Sequence, residues 1–228
     1  MKRLFRILGR DVLILMMFGG MLLYTTFSDF IVSLKPAVSF EDMLDGAKIN
    51  AGDHVAGNVL YALDYFASQS SYTRYKDGSR SGDRKSGNYY LIPAGEGFIG
   101  LKSREADTAA LNKLSDESFE LLNGGPEPAT EIFMQGAVHT MEPQLAGYYK
   151  EYLRDFGYTE EEIDAMGEPL VIEYTSFRAA QIMFGVGILL ILLAVWILVR
   201  RYKWDAEGSN LPKAEDLPDV QVDMYREQ

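Results

Sequence analysis

Long apolar runs sit near both ends of this chain, and shorter alternating and helical patterns fill the space between them. The first run extends from Val12 to Ser28 and continues to Leu34; the second extends from Ala179 to Val199. A helix rises about 1.5 Å per residue, so roughly 20 apolar residues cross a hydrocarbon core of about 30 Å. The second run meets this length without a charge, and Ile188 to Leu193 is unbroken Ile and Leu. The first run contains Asp29, which is expected at the outer interface, where a carboxylate reaches water. A cleaved signal peptide is the rival reading of the first run, with Ala37-Val38-Ser39 as its small-residue site. The run is longer than a usual signal core of about 7–15 residues, and that site lies well beyond it. A retained anchor is therefore expected.

Basic residues flank the runs unevenly. Lys2, Arg3, Arg6 and Arg10 precede the first, and Arg200, Arg201 and Lys203 follow the second. Lys35 and Arg178 sit on the opposite flanks, with Lys48 farther off. The positive-inside rule then puts both termini in the cytoplasm and the middle of the chain outside. Trp196, Tyr202 and Trp204 suit an inner aromatic belt; Tyr24, Phe27, Phe30 and Phe177 suit an outer one. Gly19-Gly20 and Gly185-x-Gly187 do not make a GxxxG spacing and sit at different depths, so they are expected to be ordinary membrane glycines.

The layout is thus a basic N-terminus (1–10), a first span (11–34), an outer domain (35–177), a second span (178–200) and a cytoplasmic tail (201–228). The tail from Asp205 onward is acidic and broken by Pro212 and Pro218. It holds too little apolar surface to fold and is expected to be disordered.

Within the outer domain, Ser39 reads as an N-cap for a short helix to Leu44, stopped by Gly46. Val55 to Phe66 is apolar on both alternating faces, which predicts one central buried strand. Ser68 to Gly87 is polar and basic, an expected exposed hairpin tip with Ser71 to Lys76 as its strand-like piece. Asn88–Pro93 and Phe98–Ser103 read as strands joined by a tight turn. Asp107 and Ser115 read as caps of two successive helices, ending at Leu114 and Leu122. Glu131 to His139 reads as a strand. Glu142 to Phe156 is an amphipathic helix with Leu145, Tyr148, Tyr149, Tyr152, Leu153 and Phe156 on one face. Thr159 to Glu162 is a capping box for a short helix ending at Gly167. Pro169 to Tyr174 is the last strand. The fold class is α+β, with two transmembrane helices flanking an extracytoplasmic mixed-sheet domain. The strand order resembles an OB-like small barrel with helical insertions; a general α+β sheet is the alternative.

Composition removes several function classes. The outer segment carries about twice as many Asp and Glu as Lys and Arg. That balance argues against nucleic acid and against anionic lipid headgroups. The chain has no Cys, which removes thiol catalysis, iron–sulfur clusters and Cys-bound zinc, and leaves the core to hold the domain without disulfides. Gly95 to Gly100 spells the dinucleotide fingerprint, but Phe98 to Ser103 reads as strand where that motif needs a helix, so no nucleotide is expected. His54 and His139 lack a partner motif, and Glu160 to Glu162 with Asp164 lack EF-hand spacing. No cofactor, metal or catalytic residue is expected. One element stands apart. Tyr72, Arg74, Tyr75, Lys76, Arg80, Arg84 and Lys85 make a basic, aromatic tip on an acidic domain, the candidate partner-binding loop. The expected partners are the lipid bilayer and another membrane or envelope protein.

Val55-Ala-Gly-Asn-Val59, Phe66-Ala-Ser-Gln69, Asn88-Tyr-Tyr-Leu-Ile-Pro93 and Phe98-Ile-Gly-Leu-Lys102 between two spans resemble an uncharacterised family of two-span membrane proteins from Gram-positive, gut-type bacteria. The resemblance implies no activity. The layout also resembles two-span mitochondrial ubiquitin ligases, but those need a Cys/His-rich RING after the second span, and this tail has neither residue. The expected function is a membrane-anchored extracytoplasmic binding or scaffold protein. The alternatives are an envelope hydrolase or transferase with paired carboxylates, or an accessory subunit of a membrane complex.

Overall fold

A computed structural model describes residues 9–71, 76, 79, 81–82 and 84–209. The chain divides into two compact units, Thr26–Gln181 and Met1–Thr25 with Ile182–Gln228. Two helices, α1 (Arg10–Ser33) and α6 (Phe177–Ser209), are long and apolar enough to cross a membrane. The last turns of α6 run past Arg200 into the segment read as tail.

In the smaller unit the two helices lie antiparallel. Asp11 pairs with Arg201 at 2.6 Å, and Gly19 meets Gly187 two turns further along α1. A methyl on Gly19 would stand 3.0 Å from the Gly187 carbonyl oxygen and 3.0 Å from Ile191. One on Gly187 would stand 3.0 Å from Leu23. The glycines read as unremarkable therefore include one facing pair that lets two backbones touch. Small residues favour such contact because dispersion, not hydrophobic transfer, holds apolar helices together in lipid.

The larger unit is built on one open mixed sheet of seven strands. These are β1 (Ala37–Val38), β2 (His54–Asn58), β3 (Tyr65–Ser71), β4 (Arg84–Ala94), β5 (Gly97–Lys102), β6 (Phe133–Thr140) and β7 (Leu170–Tyr174). Their order is β1-β2-β6-β7-β5-β4-β3, with β1–β2 and β5–β7 parallel and the other neighbours antiparallel. The sheet is open: among the described residues no ladder joins β1 to β3, so the barrel closure suggested by strand order is not seen.

Strand alternation divides the core between two faces. Tyr90, Ile92, Leu101 and Ile172 pack on one face with α2 (Phe40–Leu44) and with Leu111 and Leu114 of α3 (Thr108–Leu122). Tyr89, Leu91 and Val171 pack on the other with Tyr149 and Leu153 of α4 (Pro143–Asp155) and Ile163 of α5 (Glu160–Ala165). Val32 and Phe177 close on Ala137 in a smaller third cluster.

Two expectations fail here, each for a visible reason. The apolar run 55–66 is two strands. Residues 59–64 leave β2 and travel to the far edge of the sheet, where β3 begins. Along the way Val59 N–H donates to the Ile132 carbonyl (2.9 Å), Ala62 N–H to the Ser118 hydroxyl (3.2 Å) and Leu63 N–H to the Leu91 carbonyl (2.7 Å). Val59 and Ala62 pack with Leu111 and Leu114 of α3, Leu63 packs on the opposite face and Leu60 stays exposed, so the apolar run does not mark a central strand. The two helices expected over 107–122 are one. Ser115 and Ser118 are buried inside α3, and the Ser118 hydroxyl donates back to the Leu114 carbonyl at 2.7 Å. Asp107 makes no cap and instead pairs with Arg104.

Candidate functional site: a cleft at one end of the sheet

Three loops from distant parts of the sequence surround an open cleft of about 1210 Å³ in the larger unit. The first follows α2. Ser39 and Asp42 close a capping box, the Ser39 hydroxyl accepting from Asp42 N–H at 3.0 Å and the Asp42 carboxylate from Ser39 N–H at 3.2 Å. Gly46 ends the helix at φ +91, a region that costs residues with a Cβ. The second loop is the β4–β5 turn. Ala94 pairs with Gly97, and Gly95 takes the first central position at φ +55, the pattern of a type II′ turn. Gly95 N–H donates to the Met43 carbonyl at 2.8 Å, which ties this turn to the end of α2. The third loop follows α5, whose start is fixed by the capping box of Thr159 and Glu162.

The floor of the cleft is apolar and includes Ile49, Phe98, Ile99, Met166 and Leu170. Phe98 meets Tyr158 edge-on at 5.8 Å, and its carbonyl accepts from the Tyr149 hydroxyl at 2.9 Å. Burial pushes that phenol up to about 12, so Tyr149 is a structural donor and not a proton shuttle. The rim carries Asp45, Glu96, Glu162 and Glu168 against one cation, Lys48, all exposed. The Glu162 carboxyl is held below its ordinary value by the backbone N–H of Thr159 and then by the Thr159 hydroxyl. Asp45, Glu96 and Glu168 make no ion pair among the described residues.

Among the described residues, no group of three His, Asp or Glu side chains converges as a metal ligand set. Gly95 to Gly100, the dinucleotide-like string, occupies the turn and β5, and the next α-helix begins only at Thr108.

The sequence-identified tip lies elsewhere. β3 and β4 form a hairpin, and residues 72–83 connect them. Tyr72, Arg74, Tyr75 and Arg80 lie outside the described residues. Lys76 is exposed in a turn. The backbones of Arg84 and Lys85 open β4 opposite Ser71 and Ser70. The tip and the cleft therefore stand at opposite ends of β4. Of the two histidines, His139 is exposed, whereas His54 packs edge-on against Phe177 at 4.2 Å. His54 Nδ1 lies 3.3 Å from the Lys35 carbonyl, and its Nε2 is buried without a hydrogen-bond partner among the described residues.

No sequence pattern announced the cleft, because its walls come from residues 44–51, 94–99 and 158–170. The one available signal was the set of turn glycines, Gly46, Gly95 and Gly167, each flanked by an acid. Neither a curated protein nor a solved structure matches the chain. A family model described as "Domain of unknown function (DUF8577)" matches residues 2–200, and the chain belongs to that family.

Proposed function

We propose that this protein is a membrane-anchored binding or scaffold protein whose sheet unit works outside the cytoplasmic membrane, in the cell envelope. The observation that carries the reading is the pair of antiparallel apolar helices bracketing a folded unit. Support for the orientation comes from the flanks: seven basic residues on the proposed inner side, with Lys35 and Arg178 on the outer side. Support for binding rather than catalysis comes from the cleft, where the Glu162 carboxyl is committed to its capping box and held below its ordinary value. A general acid in the paired-carboxylate scheme needs a raised carboxyl instead.

The test separates binding from folding. In intact cells, chemical cross-linking captures the partners of the full chain. Replacing residues 72–83 with a short Gly-Ser turn removes that capture while the melting temperature stays unchanged, because the flanking strands carry the apolar surface. Equal capture by the shortened variant takes the tip out of the account. A collapse in melting temperature assigns Tyr72 and Tyr75 to the core instead.

A further inference from the structure

We propose that the cleft receives the basic tip, residues 72–85, of a second copy of this chain, so that copies join head to tail. The inference rests on the binding-domain reading above and supplies its partner. Three observations lead to it.

The first is charge. The rim presents Asp45, Glu96, Glu162 and Glu168 against Lys48. The tip sequence holds Arg74, Lys76, Arg80, Arg84 and Lys85 against Asp77 and Asp83. No other stretch of the larger unit concentrates basic residues in this way. The second is surface chemistry. The floor of Ile49, Phe98, Met166 and Leu170 is apolar, and the tip sequence contains Tyr72 and Tyr75 among Arg and Lys residues with hydrocarbon stems. A groove with an apolar floor and an acidic rim fits a basic, aromatic chain segment on both counts.

The third is distance. The tip and the cleft are separated by β4, Arg84–Ala94, which at roughly 3.3 Å per residue spans about 33 Å. Twelve residues held at both ends can reach no farther than about six residues of extended chain, or roughly 20 Å. The tip therefore falls short of its own cleft, and the contact is between copies. Such a contact is heterologous: each copy offers a tip to one neighbour and a cleft to another, which gives a ring or an open row. Confinement to a bilayer raises the effective concentration of copies and favours weak, multi-point contacts of this kind.

Charge reversal provides the test, with the full-length protein in detergent micelles and in lipid vesicles. One variant carries Arg74→Glu, Arg80→Glu and Lys85→Glu in the tip. The other carries Glu96→Lys and Glu168→Lys in the cleft. The unaltered protein is expected to associate, and to lose association as salt rises from roughly 0.05 to 0.5 M, over which the screening length shrinks severalfold. Each variant alone is expected to be monomeric with an unchanged melting temperature. Mixed in equal amounts, they are expected to associate again, because the first retains an acidic cleft for the second's basic tip and the reversed tip is in turn complementary to the reversed cleft. Association of either variant alone, or a mixture that stays monomeric, overturns the proposal. A synthetic peptide of residues 70–86 distinguishes the remaining case. If it binds the cleft while the full-length protein stays monomeric at low salt, self-occupancy is overturned and the binding-domain reading survives. If it does not bind, the cleft is not a site for basic segments.

Discussion

Ser39 with Asp42 and Thr159 with Glu162 show how far single residues determine this structure. Each pair satisfies two N–H groups that a helix start leaves open; the sequence showed Thr159 to Glu162 as a capping box and Ser39 as an N-cap, and the structure adds the return bond from Asp42. Ser39→Ala or Thr159→Ala is expected to cost about 1 kcal/mol, measured by urea denaturation, and to loosen one wall of the cleft. The same boxes contribute to a pH response, together with Glu117, held low by the Thr130 N–H, and Asp53. Asp42 is held below its ordinary 3.8 by the Ser39 hydroxyl and then by the Ser39 N–H. Glu162 is held below its ordinary 4.5 by Thr159 in the same way, backbone first. Carboxyls lowered on folding contribute stability that is complete above their ordinary values and is lost as pH falls through the lowered ones. A melting curve followed from pH 7 downward should therefore stay level until about pH 4.5 and then fall. Both Ala variants should flatten that fall. An unchanged acid limb in the double variant would show that the two hydroxyls do not contribute to it.

Elements were legible where their pattern is local and misread where the third dimension supplies the reason. Strands β4 and β5, helix α4 and strand β7 alternate or recur as their burial demands, and all four were expected from pattern. Residues 59–64 were not, since a crossing strap that buries Val59, Ala62 and Leu63 and leaves Leu60 exposed has the same apolar composition as a central strand. Ser115 was misread because a serine opening a new helix and a serine buried inside one look alike in sequence. The strap gives a sharp prediction. Ser118→Ala leaves the Ala62 N–H buried without its acceptor, a loss of about 1–3 kcal/mol by denaturation. A change below about 0.5 kcal/mol would show that the strap is not anchored there. The helix pair gives another. Gly19→Ile inserts a side chain where the Gly187 carbonyl and Ile191 already stand at 3.0 Å. Spin labels at Asp11→Cys and Arg201→Cys in nanodiscs should then report a longer and broader distance than in the same pair without the substitution. An unaltered distribution would show that the glycine contact does not set the packing.

The whole molecule is a sheet unit and a helix pair joined through continuous chain, and its larger features were only partly visible beforehand. Two apolar runs with basic ends could be read directly, because span length and flanking charge are properties of contiguous sequence. The open order of seven strands could not, because β2 and β3 sit near opposite edges although only residues 59–64 separate them. The cleft could not either, being assembled from three loops up to about 120 residues apart. The proposed function depends on the sheet unit lying outside the membrane and both ends lying inside. The chain's lack of Cys makes that directly measurable, since a single introduced thiol is the only one present. Glu127→Cys, Lys2→Cys and Gln228→Cys can be treated in intact cells with a membrane-impermeant maleimide. Glu127→Cys is expected to label at once, and Lys2→Cys and Gln228→Cys only after the membrane is opened. Protection at 127 with ready labelling at 2 and 228 would contradict that placement.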